Sequence, residues 1–132
     1  MATCQFTAKY YDYKSHAEVD YSCDSKDDEI LDSGLCIFQD ENYLQDSNNQ
    51  KEHEQKVRDR LMVKVRNSID KKEALFCIGY HLPGITIREV NFTKPVYFTN
   101  CEFQGKADFF RAKFSAVAYF FEATFSKRSK LS

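Results

Sequence analysis

Five cysteines, Cys4, Cys23, Cys36, Cys77 and Cys101, are the side chains of this 132-residue sequence best suited to chemistry. An odd number cannot all pair within one chain, and free thiols or a metal site fit a reducing compartment. Thiolates near the ends of short strands are common structural zinc ligands in lobes too small to hold a core of their own. Cys4, Cys23 and Cys36 share the first third of the chain, at spacings of 19 and 13 residues and without a paired CxxC knuckle. Two readings therefore stand side by side: one structural zinc ion with an unassigned fourth ligand, or three buried free cysteines.

Cys77 and His81, four apart in "CIGYHL", pose the question of a nucleophile and its base. In an extended segment residues four apart share a face but lie beyond hydrogen-bond reach, so a core cysteine and a corner histidine are expected. Cys101 is expected to be packing. The sequence offers no paired carboxylates, no Gly-rich phosphate loop among its 4 glycines and no Ser-His-Asp arrangement. The expectation is a protein that is not an enzyme and has no small-molecule substrate.

Three regions would position these residues. Residues 1–47 form a Cys- and Tyr-rich lobe with short apolar runs, "EVDYSC" and "GLCIF", that read as strands around the polar "DSKDDEILDSG". Residues 48–74 read as an amphipathic capping helix: Val57, Leu61, Val65 and Ile69 fall four apart, Met62 widens the stripe, and Asp46 or Ser47 is the expected N-cap. Its stripe is narrow and its polar face mixed in sign, so it should pack on its own domain rather than on a membrane. "ALFCIGYHL" then reads as one buried strand, ended by Pro83 and Gly84. No stretch reaches the ~20 apolar residues of a membrane helix and no signal peptide is evident, which points to a cytoplasmic protein with no membrane partner.

Residues 75–132 hold a repeat. Ile87, Phe92, Phe98, Phe103, Phe109, Phe114, Phe120 and Phe125 are separated alternately by five and six residues. On a helix such steps scatter the side chains around the axis, and on a flat strand they alternate between faces, so neither ordinary period fits. Two residues before each centre stand Ile85, Val90, Val96, Cys101, Ala107, Ala112, Ala118 and Ala123, all apolar and most of them small. Two inward positions followed by a two- or three-residue corner describe one side of a coil. Four sides take 22 residues, and eight sides make two coils.

Over residues 85–126 the chain resembles the pentapeptide-repeat family, with "ADFFR", "AKFSA" and "ATFSK" closest to its consensus of Ala, Asp or Asn, Leu or Phe, and two polar residues. It is similar to the Phe-rich subgroup that alternates six with five. The resemblance implies a mainly β fold: a short right-handed quadrilateral β-helix of about two coils, preceded by the helix and the small β lobe. "GLCIFQD" also resembles the N-terminal region of some of these proteins, where a Cys-Ile-Phe-His-Asp run follows lone cysteines and suggests a Cys/His metal site. Here the His position is Gln39, a poor zinc ligand, and His16, His53 or Asp40 would have to complete the set.

Function is expected in the side chains between the phenylalanines. A non-enzymatic scaffold binding another protein, or a second copy of itself, is favoured by outward aromatics such as Tyr97, Phe110, Tyr119 and Phe121. The C-terminal coil has only "SKRSKLS" to cover it, so a second copy, or further coils of a longer solenoid, should do so. The family also includes mimics of duplex DNA that bind a type II topoisomerase. That needs a long acidic solenoid, whereas residues 90–132 carry a net charge of +4 and residues 1–89 a net −5. The acidic lobe likewise disfavours a zinc-stapled nucleic-acid-binding protein.

Overall fold

A computed structural model describes residues 3–126. The fold is mainly β, with one long helix and many short strands. Strands β1 (Thr7–Asp12) and β2 (Ala17–Ser22) form an antiparallel hairpin whose register runs from Thr7 opposite Ser22 to Asp12 opposite Ala17. Alternation of exposed and half-buried residues along β1 presents Ala8 and Tyr10 to one side, as the pleat requires. "GLCIF" is not a strand: Cys36 forms an isolated bridge with Ile30, and the chain turns at once, with Gln39 and Asp40 both donating to the Cys36 carbonyl.

Helix α1 (Gln50–Lys71) buries Val57, Leu61 and Val65 and half-buries Met62 and Ile69, one stripe of a 3.6-residue period. The helix starts two residues later than the spacing suggested, and Asn49 is its N-cap, without a side-chain cap bond. Asp46 does not cap it because its carboxylate is used in the preceding turn, by the backbone N–H of Asn48 at 3.1 Å and the side chain of Asn49 at 3.1 Å. At the other end Lys72, in the left-handed conformation, stops the helix, and its N–H donates to the Ser68 carbonyl.

From Leu75 onward the strands are two residues long and pair only in parallel. Strand β3 (Leu75–Phe76) pairs with β7 (Val96–Tyr97), which pairs with β11 (Ala118–Tyr119). A second ladder joins β4 (His81–Leu82), β8 (Glu102–Phe103) and β12 (Thr124–Phe125). The remaining two ladders pair β5 (Ile85–Thr86) with β9 (Ala107–Asp108), and β6 (Asn91–Phe92) with β10 (Lys113–Phe114). Partner residues are 21 apart between the first and second passes, and 22 apart thereafter and in the other two ladders.

"ALFCIGYHL" is thus two strands in two different ladders, not one. Gly79, at φ 71°, turns the chain between them, and a Cβ there would lie 2.5 Å from Phe6 Cζ. The same corner recurs. Residues in the left-handed region stand at Gly79, Glu89, Asn100, Arg111 and Glu122, each two residues after a buried or half-buried inward residue, and each inside a five-residue step. At the last three, the residue after the left-handed one donates back to the carbonyl three before it, in Cys101 to Phe98, Ala112 to Phe109 and Ala123 to Phe120, at 2.9–3.1 Å. This is the hydrogen-bonded turn with a left-handed third residue, and it spares one residue relative to the six-residue corner.

Inward side chains stack from pass to pass. Ring centroids of Phe92 and Phe114, Phe98 and Phe120, and Phe103 and Phe125 lie 5.1, 5.0 and 4.8 Å apart and nearly parallel. Ile87, Phe92, Phe98 and Phe103 are fully buried; Phe109, Phe114 and Phe120 are half-buried, and Phe125 is 41% exposed. Of the smaller inward residues, Ile85, Val96, Cys101 and Ala107 are buried, while Val90, Ala112, Ala118 and Ala123 are half-buried.

Tyr97 is not an exposed aromatic. It stacks between Phe76 and Tyr119, with centroids 5.0 and 4.7 Å away, and Tyr10 of the hairpin closes edge-on at 4.9 Å, leaving it 4% exposed. The hairpin therefore covers this aromatic column. Phe110 and Phe121 do remain exposed, at 52% and 67%. The tail "SKRSKLS", with its Leu131, lies outside the described residues apart from Ser126.

Candidate metal centre

The base of the hairpin brings two cysteines together. Cys4 precedes β1 and donates its N–H to the Ser25 carbonyl, while Cys23 follows β2 and donates to the Phe6 carbonyl, both at about hydrogen-bond length (2.9 and 3.1 Å). Cys36 arrives from the turn after residue 30, held by the Ile30 bridge and by Gln5 donating to the Gly34 carbonyl at 2.9 Å. As a result the sulfurs of Cys4, Cys23 and Cys36 all lie within 4.8 Å of one another, and all three residues are buried. Together they could hold a metal ion.

The spacing suits a small thiophilic ion. Zn–S bonds of about 2.3 Å in a tetrahedron place sulfurs roughly 3.8 Å apart. The Cys23 and Cys36 sulfurs are 3.9 Å apart. One donor is already aimed at sulfur: the Cys36 N–H points at Cys4 Sγ at 3.2 Å, and the buried Ser25 hydroxyl stands beside Cys23.

The three thiols differ in acidity. A hydrogen bond from Cys36 holds the Cys23 thiol well below the ordinary range, and the same contact pushes Cys36 up. Burial raises Cys4. Lys64 supplies nearby positive charge. Burial opposes its charge, but Asp24, at 3.3 Å, and Glu29 favour it, and its ammonium lies 5.5 Å from the Phe38 ring centroid.

Gln39 closes the cluster. Its Oε1 lies 3.0 Å from Cys4 Sγ and 2.9 Å from Cys36 Sγ, and its Nε2 donates to the Ile78 carbonyl at 3.1 Å. The three other candidates for a fourth ligand are engaged elsewhere. His16 Nδ1 lies 3.4 Å from the Tyr11 hydroxyl at the hairpin tip. His53 Nδ1 contacts the Tyr43 carbonyl at 2.7 Å, and its ring stacks on Tyr43. Asp40 accepts from the Ser33 hydroxyl at 2.7 Å and the Asn42 N–H at 2.8 Å.

The other two cysteines are not part of this centre. Cys77 is fully buried, and burial pushes its thiol up to about 12. His81 turns away from it, with Nδ1 3.2 Å from Glu102 Oε1. Cys101 is fully buried in the second ladder region, and burial raises its thiol well above the ordinary value.

Among the described residues, no helix is long and apolar enough to cross a membrane. The chain matches no family model, no curated protein and no solved structure.

Proposed function

We propose that the chain is a non-enzymatic pentapeptide-repeat scaffold that associates with a second copy of itself through the end of a right-handed quadrilateral β-helix. The four ladders support a closed coil: the chain visits them in the same order on each pass, and every return advances by 21 or 22 residues. Left-handed corners at 11-residue intervals from Glu89 to Glu122 fall at every second corner, in keeping with sides that alternate between five and six residues.

The observation that carries the self-association is the loss of burial along one stack. Phe103 is fully buried, whereas Phe125, stacked on it, is 41% exposed; Phe121, four residues earlier, is 67% exposed. Strands β10, β11 and β12 are edges of their ladders among the described residues. A flat end that combines exposed rings with unpaired strand edges is favourable to cover, and repeat proteins require such covers. A second copy presents the same surface, and a two-fold axis would set ring against ring. Sedimentation equilibrium of the full chain tests this: a dimer mass is expected, and a monomer at all concentrations up to about 100 μM, which would put the association free energy weaker than about −5.5 kcal/mol, would remove it.

In the same reading, one zinc ion held by Cys4, Cys23 and Cys36 is structural. It fastens the two ends of the hairpin and the Cys36 turn to one point, a fastening suited to a segment with little core of its own. Metal content of protein purified without added zinc tests this part independently.

A further inference from the structure

We infer that Gln39 is the fourth ligand of the ion, through Oε1, so that the site is three sulfurs and one amide oxygen. The inference rests on the zinc reading above and names the one donor that neither spacing nor residue type singles out.

Orientation is the first argument. The Gln39 amide has its Nε2 committed to the Ile78 carbonyl, which fixes the oxygen toward the cysteines; the flipped amide would set oxygen against oxygen. The same oxygen then faces two sulfurs at 3.0 and 2.9 Å. In an S3O tetrahedron the oxygen-to-sulfur separation is about 3.5 Å, so a small retreat of the amide accommodates the ion at the centre.

Exclusion of water is the second. Gln39 is 5% exposed and Cys36 fully buried, so the fourth vertex is occupied by protein rather than open to solvent, as structural zinc sites require. Charge is the third. Three thiolates and a divalent ion sum to −1, and a neutral amide adds nothing to that buried excess. A carboxylate at position 39 would double that excess.

Without metal, the same oxygen has a second use. It is placed to accept from the Cys4 and Cys36 thiols at 3.0 and 2.9 Å, so Gln39 satisfies the cluster both empty and filled. A histidine at this position, protonated on its other nitrogen, could serve either state with its single lone pair, but could accept from only one thiol at a time.

The test uses the full chain, prepared metal-free under reducing conditions, with zinc titrated against a competing chelator and cobalt(II) as a spectroscopic substitute. Wild-type protein should bind one equivalent of either ion, with tetrahedral cobalt bands that added imidazole does not change. Gln39→Ala should bind zinc about 10–100-fold more weakly, and its cobalt spectrum should respond to imidazole, which gains the vacated vertex. Gln39→His should keep tight binding and shift the cobalt bands as nitrogen replaces oxygen. Should Gln39→Ala fail to fold, the Gln39→His shift carries the test. Unchanged affinity in Gln39→Ala, or unchanged cobalt bands in Gln39→His, overturns the assignment of Gln39 while leaving zinc in place. A wild-type chain that takes up no zinc overturns the zinc reading itself.

Discussion

Phe103 and Phe125 lie face to face, 4.8 Å between ring centroids and 7° from parallel, yet one is fully buried and the other 41% exposed. Their ladder residues are in register, Phe103 opposite Phe125, so the difference lies in what stands on the far side of each ring. Leu82 covers Phe103 from the preceding pass. Substitution should separate the two roles. Phe103→Ala should cost about 3–5 kcal/mol of folding stability, the usual penalty for emptying a core aromatic site. Phe125→Ala should cost well under half of that in the monomer, read by urea denaturation at low protein concentration.

Gly105 and Gly84 show how closely successive passes approach at a corner. A Cβ on Gly105 would lie 2.5 Å from the Gly84 backbone nitrogen and 2.8 Å from its Cα, and backbone cannot rotate out of the way. Gly105→Ala should therefore destabilise by roughly 1–3 kcal/mol, the range for overpacking. Gly84→Ala, whose nearest contacts are at 3.7 Å, should be close to neutral, and the pair of melting temperatures checks the contrast.

Arg111 and Glu122 sit at corners with φ of 57° and 54°, where an L-residue is strained by about 1–2 kcal/mol. Replacing either by Gly relieves the strain and adds unfolded-state entropy, so a net gain of up to about 1 kcal/mol is expected. Arg111 should gain less, because its guanidinium lies 5.1 Å from the exposed Phe110 ring centroid and 3.9 Å from Glu89 Oε1. Thermal melts of the two glycine variants, compared with the corresponding Asn variants, read both effects.

Zinc binding should release at least one proton near pH 7, because thiols must ionise to become ligands and burial raises the Cys4 thiol. Calorimetric titrations in buffers of different ionisation enthalpy measure this number. The sign follows for pH: affinity should rise with pH through neutrality, as thiols must ionise to bind the ion. In the metal-free protein the depressed Cys23 contributes stability that is present above the ordinary thiol range and is lost as pH falls through its lowered folded value.

The five-and-six alternation was readable because one large residue type, Phe, marks each inward position from Phe92 onward, with a small residue two before it. The first pass lacked that signal. Its inward residues Leu75, Cys77, Tyr80 and Leu82 are all buried, but they mix sizes and advance only by five, so they read as one apolar run. The hairpin's place was also hidden, since Tyr10 meets Phe76 and Tyr97 from a segment more than sixty residues away. Spacing could bring Cys4, Cys23 and Cys36 under suspicion by residue type alone. The resemblance of "GLCIFQD" put a histidine's place at position 39, but Gln39 reads there as a poor ligand until the Ile78 carbonyl is seen to turn its amide oxygen toward the sulfurs.

The open end of the stack is the most direct place to test the account. Phe121→Asp/Phe125→Asp places charge on that end, while Tyr13→Asp places the same charge at the hairpin tip, where Tyr13 is 58% exposed. Sedimentation equilibrium of both variants, with circular dichroism to verify an unchanged fold, should give a monomer for the first and a dimer for the second. A dimer that survives the double substitution at the end of the stack, or that is lost on substitution at Tyr13, would contradict it.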